Sequence, residues 1–517
     1  MNGVLPLLRL VLRRDRVIMP LWILGFGLLP YLYVSSFASL FATAQERADY
    51  ARISAGNAGF VALYGPLHGD SLGELVVWRG GFVPVMIGLA ALLTVIRHTR
   101  ADEEAGRTEL IRATVVGRFA QLAAALIATA GASLLMGVVV AATMIGAGQP
   151  VTGSVALGAV FTLSGWMFAG VGAVAAQIAS GARGARGLAV LALAVAYVLR
   201  LGGDISAPFL AWLSPIGWVH RVFPYGADNG WPAALALMFA LAAVSLSASL
   251  LARRDLDAGL VVPRLGPATA ATSLASPLAL AWRLHRGMLL GWTAGFAALG
   301  LVFGGVGGSV VQLAGDAAGV DEMFTRIGGG GAVTDAYFAT TAAICGLIAA
   351  CYAVQAALRM RDEEQTGHAE AVLTTSVGRL AWASSHLVFA LIGPAVALLA
   401  EGLLAGVMHG TPGPVLAASL AQLPAVWVLA GVTLLLVGVV PRLAAVAWAA
   451  IAACVLLLLV GPLLEVDQWV LDLSPFTHVP HLPGGVFAAS PLVALSGLAV
   501  VFGGAGLVAL RRRDIAA

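Results

Sequence analysis

Apolar runs long enough to cross a bilayer recur along this chain and limit what it can fold into. A helix that spans the hydrocarbon core needs about 20 largely apolar residues. Within lipid, that segment must also satisfy its own backbone hydrogen bonds. Twelve runs qualify: 17–41, 76–96, 119–147, 153–178, 188–207, 232–252, 287–307, 336–358, 381–407, 415–440, 443–463 and 490–510. Only 11% of the 517 residues are charged and 60% are hydrophobic. A soluble domain carries roughly 25% charged residues, so lipid must cover much of this surface. The expected fold is an all-α polytopic membrane protein with twelve transmembrane helices. The 63 glycines suit close helix–helix approach in lipid.

The 29 basic residues are all arginine. A Walker A loop needs a Lys at the β/γ-phosphates and a Schiff base needs a Lys amine. The chain therefore carries no P-loop ATPase and is expected to bind no cofactor itself. A net charge of +3 gives no reason to expect nucleic acid. Cys345, Cys351 and Cys454 lie in apolar runs and are expected to pack rather than pair. With the N-terminus in the cytoplasm, 23 of the 29 arginines fall on inside segments; the other six are Arg47, Arg52, Arg79, Arg200, Arg221 and Arg326. This positive-inside bias places both termini in the cytoplasm. The first run is long enough to span and no small-residue cleavage site follows it, so no cleavable leader is expected. Residues 5–16 read as an amphipathic interfacial helix, with Leu5, Leu8 and Leu12 on one face and Arg9, Arg13 and Arg16 on another. Residues 278–286 form a similar stretch before the seventh run.

The two halves resemble each other. Asp102-Glu103-Glu104, Gly106 and Glu109 recur as Asp362-Glu363-Glu364, Gly367 and Glu370, with one residue inserted in the second copy. Gly117-Arg118 matches Gly378-Arg379, Leu213-Ser214-Pro215 matches Leu473-Ser474-Pro475, and Arg253-Arg254-Asp255 matches Arg512-Arg513-Asp514. Trp22 and Gly25-Phe26 match Trp292 and Gly295-Phe296. The constant order and an offset of about 260 point to an internal duplication. The organisation read from it is a first six-span repeat (1–257), a cytoplasmic linker (258–277) and a second six-span repeat (278–517). Six spans per copy make the repeats parallel, related by an axis along the membrane normal, which suits a solute path between halves.

The acidic segments after the second and eighth runs each place three carboxylates in a row, then Gly, then Glu. Helical spacing of Leu110, Ile111 and Val115 opposite Arg112 reads as a short surface helix whose polar face meets a soluble partner. Adjacent carboxylates in water make a poor catalytic site because nothing desolvates them. A solvated turn is the plainer reading of one such run; its recurrence favours docking.

These segments resemble the coupling-helix region of ABC-2-type permeases, the membrane halves of ATP-binding-cassette exporters. The resemblance implies that Asp102, Glu103, Glu104, Gly106, Arg107, Glu109, Thr114 and Arg118 belong to a surface that docks the ATPase. It implies the same for Asp362, Glu363, Glu364, Gly367, Glu370, Thr375 and Arg379. The family often has Thr after the Gly and Pro before the final Ser-Arg; this chain has Arg107 or His368, and Val-Gly-Arg. The double-length form resembles actinobacterial multidrug and polyether-antibiotic exporter permeases of the tetronasin-resistance type. The partners implied are two copies of a separate ATPase subunit, with ATP and Mg bound there, together with membrane lipid and a small-molecule substrate. The setting implied is a bacterial plasma membrane. By the same resemblance, residues 212–225 form a re-entrant extracellular helical hairpin; the residues alone fit an aromatic-rich loop equally well.

Ionisable residues at membrane depth are candidates for lining a solute path. Glu401 lies in the ninth run, and Arg200 lies in the fifth with Asp204 one turn on, a spacing that permits pairing. Their bland alternative is the outer interface, with Arg200 snorkelling. His478 and His481 flank a Pro without an adjoining third ligand and read as a loop feature, with no metal site. The glycines at 328–331 read as an outer loop. The function expected is an exporter permease without its own ATPase site. The alternative is a proton-driven secondary multidrug transporter of the major-facilitator type, although the loop after the second run lacks that family's G-x-x-x-D-R-x-G-R pattern. A membrane enzyme is disfavoured because no acid, His or metal-ligand cluster repeats on one face.

Overall fold

The computed structural model describes residues 3–513 except 57, 114, 206, 256–257, 262–268, 270, 316–332 and 460–466. Thr114, Arg326, Asp514 and the 328–331 glycines therefore lie outside the described residues. Among the described residues every regular element is helical, and twelve helices are long and apolar enough to cross a membrane. The chain divides into two compact units, Met1–Gly266 and Pro267–Ala517.

In the first unit the spans are Ile18–Leu40, Val83–Glu104, Ala120–Gly146, Val151–Ile178, Ala182–Ile205 and Gly230–Arg253, numbered 1 to 6. Span 4 is the centre, 78% buried against 28% for spans 5 and 6. Its small residues explain this position. Gly158 faces the backbone of Gly137 and Gly165 faces Ser133, both on span 3; Gly170 meets Ala243 on span 6, and Gly172 meets the backbone of Leu92 on span 2. Lipid gives helices no hydrophobic reason to associate, so close backbone approach and dispersion supply the attraction. A separate helix, Val4–Arg14, seats Leu7, with Val4 and Leu8, against Ala120 and Ala124 of span 3, buries Val11 and leaves Leu5 and Leu12 exposed.

In the second unit the spans are Pro277–Gly307, Thr334–Gln365, Arg379–His409, Pro412–Val439, Pro441–Leu458 and Ala489–Arg512, numbered 7 to 12. Spans 8 and 10 are the most enclosed, each 67% buried. Gly300 and Gly304 of span 7 lie on the backbones of Glu401 and Ala405 of span 9, and Gly438 of span 10 lies on Gly506 of span 12.

Several boundaries differ from the sequence expectation. Span 2 begins at Val83, not near 76. Ser71 and Glu74 form a capping box that starts an independent helix, Leu72–Arg79, and the Gly80–Gly81 turn closes it. Residues 278–286 are not a separate interfacial helix, because one helix runs unbroken over Pro277–Gly315. Asp362, Glu363 and Glu364 do not sit on a surface helix; they end a long helix, Val333–Gln365. The short helices are Arg107–Arg112 and His368–Leu373. Each starts after a left-handed glycine, Gly106 (φ 70°) or Gly367 (φ 72°), where a side chain would be strained. The segment expected over 212–225 is shifted: two short helices, Pro208–Trp212 and Pro215–His220, are followed by turns at 221–225, with Ser214 Oγ accepting from Gly217 N–H and donating to the Ala196 carbonyl.

Gly137→Val would drive a side chain into Thr162 and the Gly158 carbonyl. Overpacking of this kind costs about 1–3 kcal/mol. A lowered thermal midpoint of the detergent-purified protein is expected, whereas Gly146→Val, which meets nothing within 4 Å, should leave it nearly unchanged.

Candidate functional site

The acidic triplet of the first unit is held from several sides. Asp102 Oδ2 accepts from Arg14 Nη1 at 2.6 Å and its Oδ1 from Arg107 Nε at 3.0 Å. Glu103 receives a two-pronged contact from Arg254, Nη1 to Oε1 and Nη2 to Oε2, both 2.7 Å. Arg100 Nη1 adds a third donor at 2.9 Å. Glu104 Oε2 accepts from the Ala182 N–H at 2.9 Å and so caps the start of span 5. Arg118 Nη2 donates to the Arg254 carbonyl at 2.6 Å. The segment after span 2 is thus pinned to the end of span 6 through both the side chain and the backbone of Arg254.

The second unit has the same two contacts. Arg513 Nη2 donates to both oxygens of Glu364 at 2.7 and 2.8 Å, and Arg379 Nη1 donates to the Arg513 carbonyl at 2.6 Å. Glu363 pairs with Arg359 at 2.7 Å and lies 4.0 Å from His368. These contacts correct the register. Glu364, not Glu363, takes the place of Glu103, and Glu363 takes that of Asp102. The extra residue precedes the acids instead of following them, since Glu103 to Gly106 and Glu364 to Gly367 are equally spaced.

A second correction follows. The triplets were expected to form a solvated acidic face, yet Asp102, Glu103 and Glu364 are 5–8% exposed. Arginine clamps have drawn them inward. One acid of each triplet, Glu104 and Asp362, stays exposed, and the surface around them is mixed: Arg107, Glu109, Leu110 and Val115 in the first unit, and His368, Glu370 and Thr375 in the second. Removing one partner of a buried ion pair costs about 3–5 kcal/mol. Glu103→Ala strips a carboxylate from two arginines, and Glu364→Ala from Arg513 alone, whose side chain is 17% exposed. Thermal unfolding should show the larger drop for Glu103→Ala, and for Glu364→Ala about half of it.

The intramembrane candidates are internal. Arg200 is wholly buried within the first unit. Its Nη1 pairs with Asp204 Oδ2 at 3.2 Å, its Nη2 donates to the Leu63 carbonyl at 3.2 Å, and its guanidinium lies 4.7 Å from the Tyr197 ring centre. Asp204 lines a cavity of about 490 Å³ at the end of the first unit opposite the Glu103 clamp. Glu401 is 1% exposed in the second unit and accepts from Ser419 Oγ at 2.7 Å. The Arg200 pair belongs to the other unit. Among the described residues no group of three His, Cys, Asp or Glu could hold a metal ion.

Some functional-looking groups were missed in the sequence. Asp15 is buried, its Oδ2 hydrogen-bonded with His98 Nε2 at 2.6 Å and its Oδ1 in an ion pair with Arg97 Nη1 at 3.0 Å; a lone acid among four arginines was the available signal. His285 and His386 are buried and 2.9 Å apart, which nothing in their separate runs announced. His220 ends the short helix Pro215–His220 and lines the same cavity as Asp204. Burial, reinforced by Arg200, pushes its imidazole down to about 3. The folded state therefore refuses a proton that the unfolded chain accepts below about 6.5. Stability is flat above that pH and falls as pH drops towards 3. Going from pH 7 to 5 should cost about 2 kcal/mol through this group, a loss that His220→Asn should remove from the pH dependence of the thermal midpoint.

Comparison with known proteins agrees with this architecture. Residues 274–511 match the family model described as multidrug efflux system permease Rv1217c, C-terminal domain. The multidrug efflux system permease protein Rv1217c of Mycobacterium tuberculosis is 42% identical over 523 residues, covering 99% of this chain and 95% of that protein. At that identity and coverage, the chain belongs to the family of the multidrug efflux system permease Rv1217c.

Proposed function

We propose that this chain is the membrane-spanning permease of an ATP-binding-cassette exporter of the ABC-2 type. It moves hydrophobic or amphipathic compounds, antibiotics and other drugs among them, out of a bacterial cell. Near-full-length kinship with a multidrug efflux permease carries the reading. The complete absence of Lys supports placing ATP and Mg on a separate P-loop subunit, two copies of which would serve the two units. Arginine bias puts the clamp-bearing ends and both termini in the cytoplasm.

In this reading the short helices after Gly106 and Gly367 meet the ATPase. Arg107, Glu109 and Leu110, with His368 and Glu370, supply the contact. Glu103, Glu364, Arg118 and Arg379 act behind that surface as positioning residues. They tie the chain on either side of each short helix to the last span of its own unit, so a displacement of the short helix is passed through its flanks to that span. The duplication of the motif then gives each unit its own lever.

Tagged chain purified from its native host is expected to bring a Walker A ATPase, identified by mass spectrometry. Reversing the exposed charges with Glu109→Arg and Glu370→Arg should lower its recovery roughly tenfold without moving the thermal midpoint of the permease. Recovery of the chain alone, together with proton-gradient-driven ethidium transport that needs no ATP, would overturn the reading in favour of a secondary transporter.

A further inference from the structure

The cavity that Asp204 reaches has the makings of a ligand site in its own right. Its volume of about 490 Å³ lies in the range of sites that enclose a small organic molecule, roughly 300–1,000 Å³. Leu67, Trp78, Val160 and Phe161 give it an apolar wall. Its polar lining is uneven in a way that points to a particular chemistry. Asp204 is already matched by Arg200. Glu74 is already engaged at the helix cap, where its Oε2 accepts from Ser71 Oγ at 2.6 Å. Arg221 shares the charge of Asp204 with Arg200, so two guanidiniums stand against one carboxylate, and it does not pair with that carboxylate directly. Its guanidinium lies 4.9 Å from the Trp212 ring centre and its Nη1 makes only a long contact, 3.4 Å, to the Gly217 carbonyl, and among the described residues it forms no ion pair. Beside it, His220 Nε2 is buried with no hydrogen-bond partner. Buried polar atoms in folded proteins are almost always satisfied, and an orphan calls for an explanation.

The segment 223–229, which gives the cavity Phe223, Pro224, Gly226, Ala227 and Asn229, is also held in an unusual backbone shape. Phe223, Tyr225 and Asp228 have φ of 49°, 67° and 46°, in the left-handed region that residues other than glycine rarely adopt. Local strain of this kind persists only where surrounding contacts over-determine it, and it gathers at ligand clamps and active sites. The contacts are present. Tyr225 N–H donates to Asp228 Oδ1 at 2.9 Å, Tyr225 Oη and Ser154 Oγ are 3.0 Å apart, and Asn229 N–H donates to the Val222 carbonyl at 2.7 Å. On the facing side Trp78 Nε1 donates to the Gly65 carbonyl at 2.8 Å. The site is preformed.

We propose that this cavity binds an amphipathic organic acid, its carboxylate on the guanidinium of Arg221, its apolar body against Trp78 and Phe161, and a neighbouring polar group on His220 Nε2. Such a ligand is either an acyl chain drawn from the membrane or an aromatic acid taken as cargo; the two share the anionic head and the apolar body. The site goes beyond the exporter reading and needs neither ATP nor an ATPase.

The test is equilibrium dialysis of the full chain in phosphatidylcholine nanodiscs, with empty nanodiscs as the blank. The probes are 1-naphthylacetate, its uncharged amide, and dodecanoate. The acids are expected to bind more tightly than the amide by roughly tenfold or more, a charge-assisted contact being worth that factor. Whether naphthylacetate or dodecanoate binds more tightly separates cargo from membrane lipid as the source. Arg221→Gln should weaken the acids roughly 10- to 100-fold and leave the amide within a fewfold. Leu67→Trp, which fills the space from a half-buried loop position, should weaken all three. Arg221→Lys keeps the charge and should keep the preference for acid over amide, so it serves if the Gln variant does not fold. Equal binding of acid and amide, an acid affinity unmoved by Arg221→Gln, or binding no greater than that of empty nanodiscs would each overturn the proposal. No ATPase is present, so failure here leaves the exporter reading standing, and failure of that reading leaves this one standing.

Discussion

A bilayer core offers no water to a polar group, and that single constraint organises both units of this protein. Backbone groups answer it by forming helices. Side chains answer it by pairing. Arg200 with Asp204, Asp15 with His98 and Arg97, and Glu401 with Ser419 are each enclosed with partners in place. Leaving one of these groups unpaired in hydrocarbon would cost several kcal/mol. At the membrane end a carboxylate enclosed by protein obeys the same rule: Glu103 takes three donors from two arginines, Arg100 and Arg254.

Pairing and packing reinforce each other. Span 4 reaches the centre of the first unit because glycines at 158, 165, 170 and 172 let three neighbouring spans come close to its backbone. That approach carries Gln177 near the end of span 4 to Arg254 near the end of span 6, where the Gln177 amide oxygen accepts from Arg254 Nε at 2.8 Å. The guanidinium is thereby fixed before it meets Glu103. Small residues in mid-membrane thus set up the polar joint at the membrane end, and the joint in turn resists any sliding of span 6 against span 4. The second unit distributes its glycines differently, on spans 7, 10 and 12 as well as 9, yet reaches the same Glu364–Arg513 contact.

Much of the fold was legible because hydrophobic length is a one-dimensional property. The apolar runs mark spans with few competing readings, and the capping and glycine signals around Gly106 and Gly367 are local. What was not legible depended on where a helix chooses to stop. The apolar run near 76–96 hides a break, because the Ser71–Glu74 box and the Gly80–Gly81 turn matter more than the hydrophobicity of Leu75, Val76 and Val77. Conversely, Asp362 to Glu364 look like a loop by composition but continue a helix, since straight-chain and acidic residues extend one readily when Arg359 lies one turn back. The candidate site suffered most. Its acids were found at the right positions but all read as solvent-facing, whereas Glu103 and Glu364 are buried by arginines from about 150 residues away. Sequence spacing within the triplet carries no trace of that partner; only the recurrence of Arg253-Arg254 and Arg512-Arg513 did.

The arginine-only composition takes on a structural meaning at this joint. Read as composition, it excluded lysine chemistry and little else. At Arg254, Nε serves Gln177, Nη1 and Nη2 serve the two oxygens of Glu103, and Nη1 also reaches the Ala258 carbonyl at 2.9 Å. A planar fork presents these donors in fixed directions, whereas an ammonium is a compact charge on a flexible stem with three donors and a heavier hydration shell to remove. Lysine there would leave either the carboxylate half-bound or Gln177 without its partner. Arg513 at the corresponding place makes fewer contacts, and its Nε is unpartnered. The two joints therefore share a design without sharing a strength. The first unit holds the acid before its short helix through a side chain whose donors are nearly all used, and the second through a guanidinium that spends only Nη2 on the carboxylate.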